Sequence, residues 1–172
     1  MEVNATDSER QVVESDLKET RRDGISTQKI GRLGELLVQF ELLQHGIDSA
    51  PMTTDSGVDL VAYSELRGRP YTIQVKTCLK PKPAGGKGAA AIDWRIEEDC
   101  PAELVALTEI STRRVWLFTK KELIRRAQQS CKGILHIYMY TDKSVRSRSY
   151  EHSGDQLFSE FLLGNRVGAI FL

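Results

Sequence analysis

Two neighbouring stretches between residues 58 and 79 are rich in apolar and β-branched residues, and the second alternates its side chains between two faces. The first, residues 58–63, has the sequence VDLVAY, and the second, residues 71–79, has the sequence YTIQVKTCL. β-Branched and aromatic residues favour strands, and the intervening residues 67–70 (RGRP) are typical of a turn. We therefore predict two adjacent strands that pair as a β-hairpin.

Three polar side chains would then converge at one edge of a small sheet. Side chains alternate between the two faces of a strand, so Gln74 and Lys76 share a face. Pairing of the two strands brings Asp59 beside them. A carboxylate, an amide oxygen and an ammonium group in this arrangement can hold a divalent metal ion next to a phosphate.

This arrangement resembles the PD-(D/E)xK nuclease superfamily, whose pattern is an acid on one strand and then an acid, any residue and a lysine on the next. Asp59 matches the first acid, Lys76 matches the lysine, and Gln74 stands where the second acid is usual. The chain is similar to the Gln-x-Lys subset, which includes group I intron-encoded endonucleases and archaeal Holliday junction resolvase-like proteins. The resemblance is carried mainly by residues 26–80.

The resemblance implies an α/β fold with a restriction-endonuclease-like core, in which a mixed β-sheet is flanked by helices in the order αβββαβ. It also implies an endonuclease that hydrolyses DNA phosphodiester bonds with Mg²⁺, or Mn²⁺ in its place, and that works as a homodimer or homotetramer. The metal ligands would be Asp59, the side-chain oxygen of Gln74, the backbone carbonyl of Val75, and Glu35. Lys76 would neutralise phosphate charge and orient the attacking water.

Glu35 lies on a predicted helix that begins at Ser26 or Thr27 and ends near Gln44, before Gly46. The spacing predicts an inward apolar stripe of Ile30, Leu33, Leu37 and Phe40. Glu35 belongs to a second column, with Gly31, Val38 and Leu42. It is therefore either a surface residue on the helix flank or a partly covered carboxylate that needs a partner. Its order before Asp59, Gln74 and Lys76 favours a site residue.

Basic residues outnumber acidic ones after residue 75, although the formal net charge of the whole chain is zero. Nucleic-acid binding requires a local basic surface, because phosphate contacts supply most of the non-specific affinity. Residues 80–88 form a predicted loop with three lysines, which is either a flap that closes on DNA or a plain linker. The predicted DNA contacts are Lys80, Lys82, Lys87, Arg146 and Arg148.

The remaining sequence fits a single domain. Residues 1–25 are highly charged and predict a flexible or weakly helical arm, and residues 26–172 form the nuclease-like domain. Three widely spaced cysteines and the lack of a membrane span predict a cytoplasmic protein with reduced thiols. Residues 167–172 form an apolar tail that pairs as a strand or covers an interface. Two alternatives stay open, namely a catalytically inactive DNA-binding or scaffold protein on the same fold, and an unrelated α/β domain.

Overall fold

Three α-helices and nine β-strands form the part of the chain that the computed structural model describes, which is residues 24–54, 56–142, 145 and 158–172. The helices are α1 (Thr27–Gln44), α2 (Lys120–Arg126) and α3 (Leu163–Phe171). The strands are β1 (Asp48–Pro51), β2 (Leu60–Ser64), β3 (Arg69–Cys78), β4 (Lys82–Pro83), β5 (Ala90–Glu97), β6 (Leu104–Glu109), β7 (Arg114–Thr119), β8 (Gln129–Cys131) and β9 (Ile134–Tyr140). Residues 1–23 of the predicted N-terminal arm lie outside the described residues.

The central element is a five-stranded mixed sheet in the order β1-β2-β3-β6-β7. Its neighbouring strands are antiparallel except for β3 and β6, which are parallel. This arrangement confirms the predicted mixed α/β fold. A second, antiparallel sheet in the order β4-β5-β9-β8 was not predicted as a separate layer.

Each face of the mixed sheet has its own hydrophobic core. One face, which includes Leu60 and Ile73, packs against α1 and α3. The other face packs against the second sheet, where the rings of Trp94 and Trp116 meet edge to face with centroids 5.5 Å apart. The indole N–H of Trp94 donates to the carbonyl of Thr108 at 3.0 Å. Because buried indole N–H groups need an acceptor, this bond fixes how the second sheet sits on the first.

α1 buries a different face from the one that its sequence predicts. The residues against the sheet are Gly34, Val38 and Leu42, whereas Leu33 is 39% exposed and Phe40 is 56% exposed. The predicted stripe is therefore only partly inward, because Leu37 packs against the core and Ile30 is half-buried, whereas Leu33 and Phe40 are exposed. The physical reason is close approach, since a Cβ atom at Gly34 would lie 1.9 Å from Oγ1 of Thr77. A helix can lie this close to a strand only where it presents a residue without a side chain.

The last nine residues before Leu172 form a helix, so the predicted strand at residues 167–172 is corrected. Leu163, Val167, Ile170 and Phe171 are buried. This spacing of three and four residues puts their side chains on one face of a helix, and that face completes the core over β7 and α1. Two carbonyls in α3 also accept side-chain hydrogen bonds, the Phe171 carbonyl from Ser64 and the Ile170 carbonyl from Tyr71.

The lysine-rich segment after β3 is a short hairpin, where the sequence predicted an open loop. β4 pairs with β5 through Lys82 opposite Ala91 and Pro83 opposite Ala90. The 3-10 turn Ala84–Gly86 reverses the chain, and Gly88 donates to the Ala84 carbonyl at 2.7 Å. Among the described helices, none is both long and apolar enough to span a membrane.

Candidate active site

β3 is longer than β2, so one edge of β3 has no neighbouring strand after Ile73 among the described residues. β2 starts at Leu60, which pairs with Ile73, whereas β3 extends to Cys78. In the described strands, the stretch after Ile73 pairs only with β6 on its other side. The candidate site lies along this open edge, at the point where the two predicted strands part.

Asp59 lies immediately before Leu60, the first residue of β2. Its N–H donates to the Ile73 carbonyl at 2.9 Å, and its own Oδ2 accepts from the N–H of Val75 at 2.6 Å. The carboxylate therefore replaces the partner strand at this position. Because N–H and C=O of one strand residue point in the same direction, the Val75 carbonyl also faces the open edge.

Gln74 follows Ile73, the last β3 residue that pairs with β2, and is 5% exposed. Its side-chain oxygen Oε1 is buried and accepts no hydrogen bond from any described residue. A buried amide oxygen without a partner is unfavourable, and such atoms are rare in folded proteins. The amide oxygen is therefore available to a ligand that brings its own positive charge or donor.

Lys76 lines a cleft of about 300 Å³ along the open edge. Val75 and Thr77 of β3 contribute to the same wall, and the beginning of α1 with Ile30 and Gly31 forms the opposite one. Lys82 of β4 lies at its rim and is exposed. Lys76 and Lys82 thus both line a cleft that runs along residues 75–79 at the end of β3.

Asp93 of β5 lines this cleft together with Lys76, and the sequence reasoning did not select it. Its Oδ2 lies 3.1 Å from Nε2 of His136 on β9. A usable signal was present in the sequence. Asp93 stands between Ile92 and Trp94, which are buried, so it is an acid on the outward face of a strand with an apolar inward face.

Glu35 is the predicted site residue that the structure leaves apart from this group. Its Oε2 lies 2.6 Å from Nη1 of Arg32, one helical turn earlier on α1, and its side chain is 24% exposed. The residues that line the cleft include Gly31 from the same helix. The structure thus joins Asp59 to Val75 and places Val75 and Lys76 in the wall of the cleft, whose lining includes neither Asp59 nor Gln74. Glu35 is held in an ion pair on the helix flank.

The predicted DNA contacts separate into two groups. Lys80, Lys82 and Lys87 are exposed on the segment that follows β3, and Lys82 lines the cleft. Arg146 and Arg148 lie outside the described residues. The nearby thiol of Cys78 is not a reactive nucleophile. Burial raises the pKa of Cys78, and its Sγ donates to the Lys80 carbonyl at 3.3 Å.

Oxygen atoms dominate the donor set that the open edge offers. Within the described residues, no three His, Cys, Asp or Glu side chains cluster closely enough to hold a metal ion by themselves. The predicted ligands are instead the carboxylate of Asp59, which is bonded to the Val75 N–H, the Val75 carbonyl, and the amide oxygen of Gln74, which has no partner among the described residues. Neutral and anionic oxygens of this kind fit a hard cation that keeps several waters, such as Mg²⁺.

Comparison with known proteins places the fold. No family model and no curated protein matches the chain. Among solved structures, the chain is similar to a bacterial homing endonuclease, I-Ssp6803I, with 20% identity and a TM-score of 0.52 over 72% of this chain and 83% of that one. It also matches MepB, with 9% identity and a TM-score of 0.34 over 67% of this chain and 86% of that one. The chain therefore has a mixed α/β, nuclease-like fold similar to that of the homing endonuclease I-Ssp6803I.

Proposed function

We propose that this protein is a metal-dependent endonuclease that hydrolyses DNA phosphodiester bonds. The observation that carries the proposal is the buried side-chain oxygen of Gln74, which has no hydrogen-bond partner among the described residues and lies next in sequence to Val75, whose N–H donates to the Asp59 carboxylate. The fold similarity to a homing endonuclease supports the same reaction class. DNA is accordingly the proposed partner.

Mg²⁺ is the proposed cofactor, with Mn²⁺ as a substitute. Asp59, Gln74 and the Val75 carbonyl would hold it, and when bound it supplies Lewis-acid activation of the phosphate and of a water molecule. The amide of Gln74 adds no negative charge, so the proposed site has fewer charges than one with two carboxylates. Glu35 would join the proposed ligands only by giving up its ion pair with Arg32.

Lys76 supplies the positive charge that the reaction needs outside the metal site. Its ammonium group lies in the cleft, where a phosphate that approaches the open edge meets it. The transition state of phosphodiester hydrolysis carries extra negative charge on the phosphate oxygens, so a fixed ammonium stabilises it more than the ground state. Lys76 also donates hydrogen bonds that orient the attacking water.

The DNA backbone would be held by basic residues around the cleft. Lys82 is positioned at the rim, and Lys80 and Lys87 extend the positive surface along the same segment. Arg146 and Arg148 complete the proposed set. Contacts of this type position the duplex and make binding strongly salt-dependent, without reading its sequence.

A cleavage assay with Mg²⁺ tests the proposal. Supercoiled plasmid and linear, nicked, branched and single-stranded DNA are incubated with the protein over a range of Mg²⁺ and Mn²⁺ concentrations. We expect cleavage that EDTA abolishes, and a loss of at least about 100-fold in rate for Lys76→Ala and Asp59→Ala, in line with the loss of a charged group that acts in the transition state.

The matched control is Lys121→Ala, which removes an exposed lysine on α2 away from the cleft. It should cleave at the wild-type rate. A gel shift in Ca²⁺ without cleavage in any divalent metal would contradict the enzyme and support the inactive DNA-binding alternative. Neither binding nor cleavage would contradict both.

We further propose a homodimer or homotetramer, because cleavage of both DNA strands requires two sites. The proposed compartment is the cytoplasm. The three free thiols, of which Cys131 is exposed, support a reducing environment.

A further inference from the structure

An apolar face on the outside of α1 has no covering element among the described residues. It consists of Leu33, Leu36, Phe40 and Leu43, which are 39%, 48%, 56% and 63% exposed. These four residues are referred to as the α1 outer face. They lie opposite Gly34, Val38 and Leu42, the residues that α1 buries against the sheet. Contiguous apolar surface of this kind on a folded domain marks a contact site.

We infer that a second copy of this chain covers the α1 outer face, with the two α1 helices antiparallel across a twofold axis. The inference names the surface for the proposed homo-oligomer and does not depend on nuclease activity. The spacing of the four residues is three, four and three, which is the same in both directions along the helix. A twofold axis therefore pairs Leu33 with the partner's Leu43, and Leu36 with the partner's Phe40.

The charges on α1 agree with this direction. Lys29 is exposed on the same side of the helix, four residues before Leu33. In the antiparallel pair it reaches the end of the neighbouring helix, and the exposed Asp48 follows that end by four residues, at the start of β1. The last turn of α1 has no basic residue, so no side chain of that turn compensates the negative end of the helix dipole. Lys29 supplies that compensation from the other copy.

The N-terminal segment of the same chain is a poorer occupant on composition. Eleven of residues 1–23 are charged. A segment of this composition offers few apolar side chains to four large apolar residues, whereas a second α1 outer face offers four. In such a dimer each α1 outer face is buried by the other, because an isologous interface uses the same surface on both copies.

Sedimentation analysis of the full chain, without DNA or metal, tests this surface. We expect wild type to sediment as a dimer or larger assembly, and the double variant Leu36→Gln/Phe40→Gln to sediment at half that mass or less. The replaced side chains are exposed in the single chain, so the far-ultraviolet circular dichroism spectrum should remain that of wild type. The control Leu66→Gln changes a residue that is 75% exposed elsewhere and should leave the mass unchanged.

A charge exchange tests the antiparallel geometry. Lys29→Glu and Asp48→Lys should each weaken association at least tenfold, and the two changes together should restore most of it. A wild-type chain that stays monomeric at its solubility limit would overturn the inference and point to residues 1–23 or another protein as the occupant. A double variant that associates as tightly as wild type would also overturn it. Because no cleavage is measured, failure of this surface and failure of the nuclease proposal are distinguishable.

Discussion

The carboxylate of Asp59 accepts a hydrogen bond from the backbone N–H of Val75 at 2.6 Å, and so it takes the place of a partner strand. The Asp59 side chain, just before the start of β2, thus keeps the edge of β3 hydrogen-bonded. The same carboxylate is the charged member of the proposed metal site. The stability of this strand edge and the proposed metal binding therefore both depend on the Asp59 carboxylate.

Replacement of Asp59 should separate these two roles. Asp59→Ala leaves the half-buried N–H of Val75 without its acceptor, so we expect the free energy of unfolding to fall by about 1–3 kcal/mol. Asp59→Asn keeps an oxygen acceptor and should lose less than about 1 kcal/mol. Both variants should lose cleavage, because neither has the charge. Urea unfolding measures the difference, and equal stability of the two variants would contradict it.

Gln74→Glu should make the fold depend on metal. The side chain is 5% exposed, and a carboxylate at this depth is unfavourable without a cation. We expect a lower thermal midpoint in EDTA than wild type, a larger rise on addition of Mg²⁺, and an apparent Mg²⁺ affinity about tenfold higher, which corresponds to about 1.4 kcal/mol. Differential scanning fluorimetry over a Mg²⁺ titration measures all three.

Gln44→Glu is the matched control, because it makes the same chemical change at the exposed end of α1. Its thermal midpoint should not depend on Mg²⁺ more than that of wild type. A Gln74→Glu variant with the metal response of wild type would remove Gln74 from the proposed ligands.

Gly34→Ala should destabilise the fold, although alanine is the better helix former. The new Cβ would lie 1.9 Å from Oγ1 of Thr77 and 2.7 Å from Oγ1 of Thr108, so α1 must move away from the sheet. We expect a loss of about 1–3 kcal/mol, as for overpacking of a core. Gly31→Ala is the control on the same helix, since a Cβ atom at Gly31 would meet no neighbouring atom within 4 Å.

Gly31→Ala should gain up to about 1 kcal/mol from helix propensity. In a Thr77→Ala background, Gly34→Ala should cost less than in wild type, because the nearest obstructing oxygen is gone. Chemical denaturation of wild type, the two single variants and the double variant forms a double-mutant cycle. A loss that is unchanged by Thr77→Ala would show that the contact with Thr77 is not the cause.

Acid should weaken the packing of α3 through Glu122. Burial alone would raise the pKa of Glu122, but hydrogen bonds from Thr119 and the charge of Arg166 outweigh it and hold this pKa below its usual value of 4.5. The stabilisation is therefore present above about pH 4.5 and is lost as pH falls through the lower, folded-state pKa. Arg166 donates to both carboxylate oxygens at 2.8 Å, which ties α2 to α3.

Glu122→Gln removes the titrating group, so its free energy of unfolding should decrease less than that of wild type between about pH 5 and pH 3. Urea unfolding at half-unit steps measures the two slopes. Glu160→Gln is the control, because Glu160 is more exposed and its pair with Arg126 is longer, at 3.4 Å. Equal slopes for wild type and Glu122→Gln would contradict the role of this carboxylate.

The hairpin was predictable because its information is local. Alternation along 71–79 and the turn residues before it specify strand pairing without reference to the rest of the chain. The pairing of Leu60 with Ile73 then follows, and with it the approach of Asp59 to Val75. Site residues on one hairpin can thus be related to one another from sequence.

The face of α1 was not predictable in the same way. Periodicity identified two columns, and the more apolar one was assigned to the core. The structure buries the face that contains Gly34, because close approach to Thr77 brings Val38 and Leu42 into the sheet. This depends on the shape of a distant strand. Asp93 was missed for a related reason, since only the second sheet brings it to Lys76.

The unequal lengths of β2 and β3 affect how this protein can be studied. Because the open edge presents the main-chain oxygen of Val75 as well as side chains, part of the chemistry proposed here is carried by an atom that every amino acid possesses. Alanine scanning does not remove a main-chain oxygen, so Val75→Ala would be expected to keep activity even if the Val75 carbonyl binds the metal. An amide-to-ester replacement between Val75 and Lys76 makes that carbonyl a weaker electron-pair donor. This replacement therefore tests the contribution of the Val75 carbonyl directly.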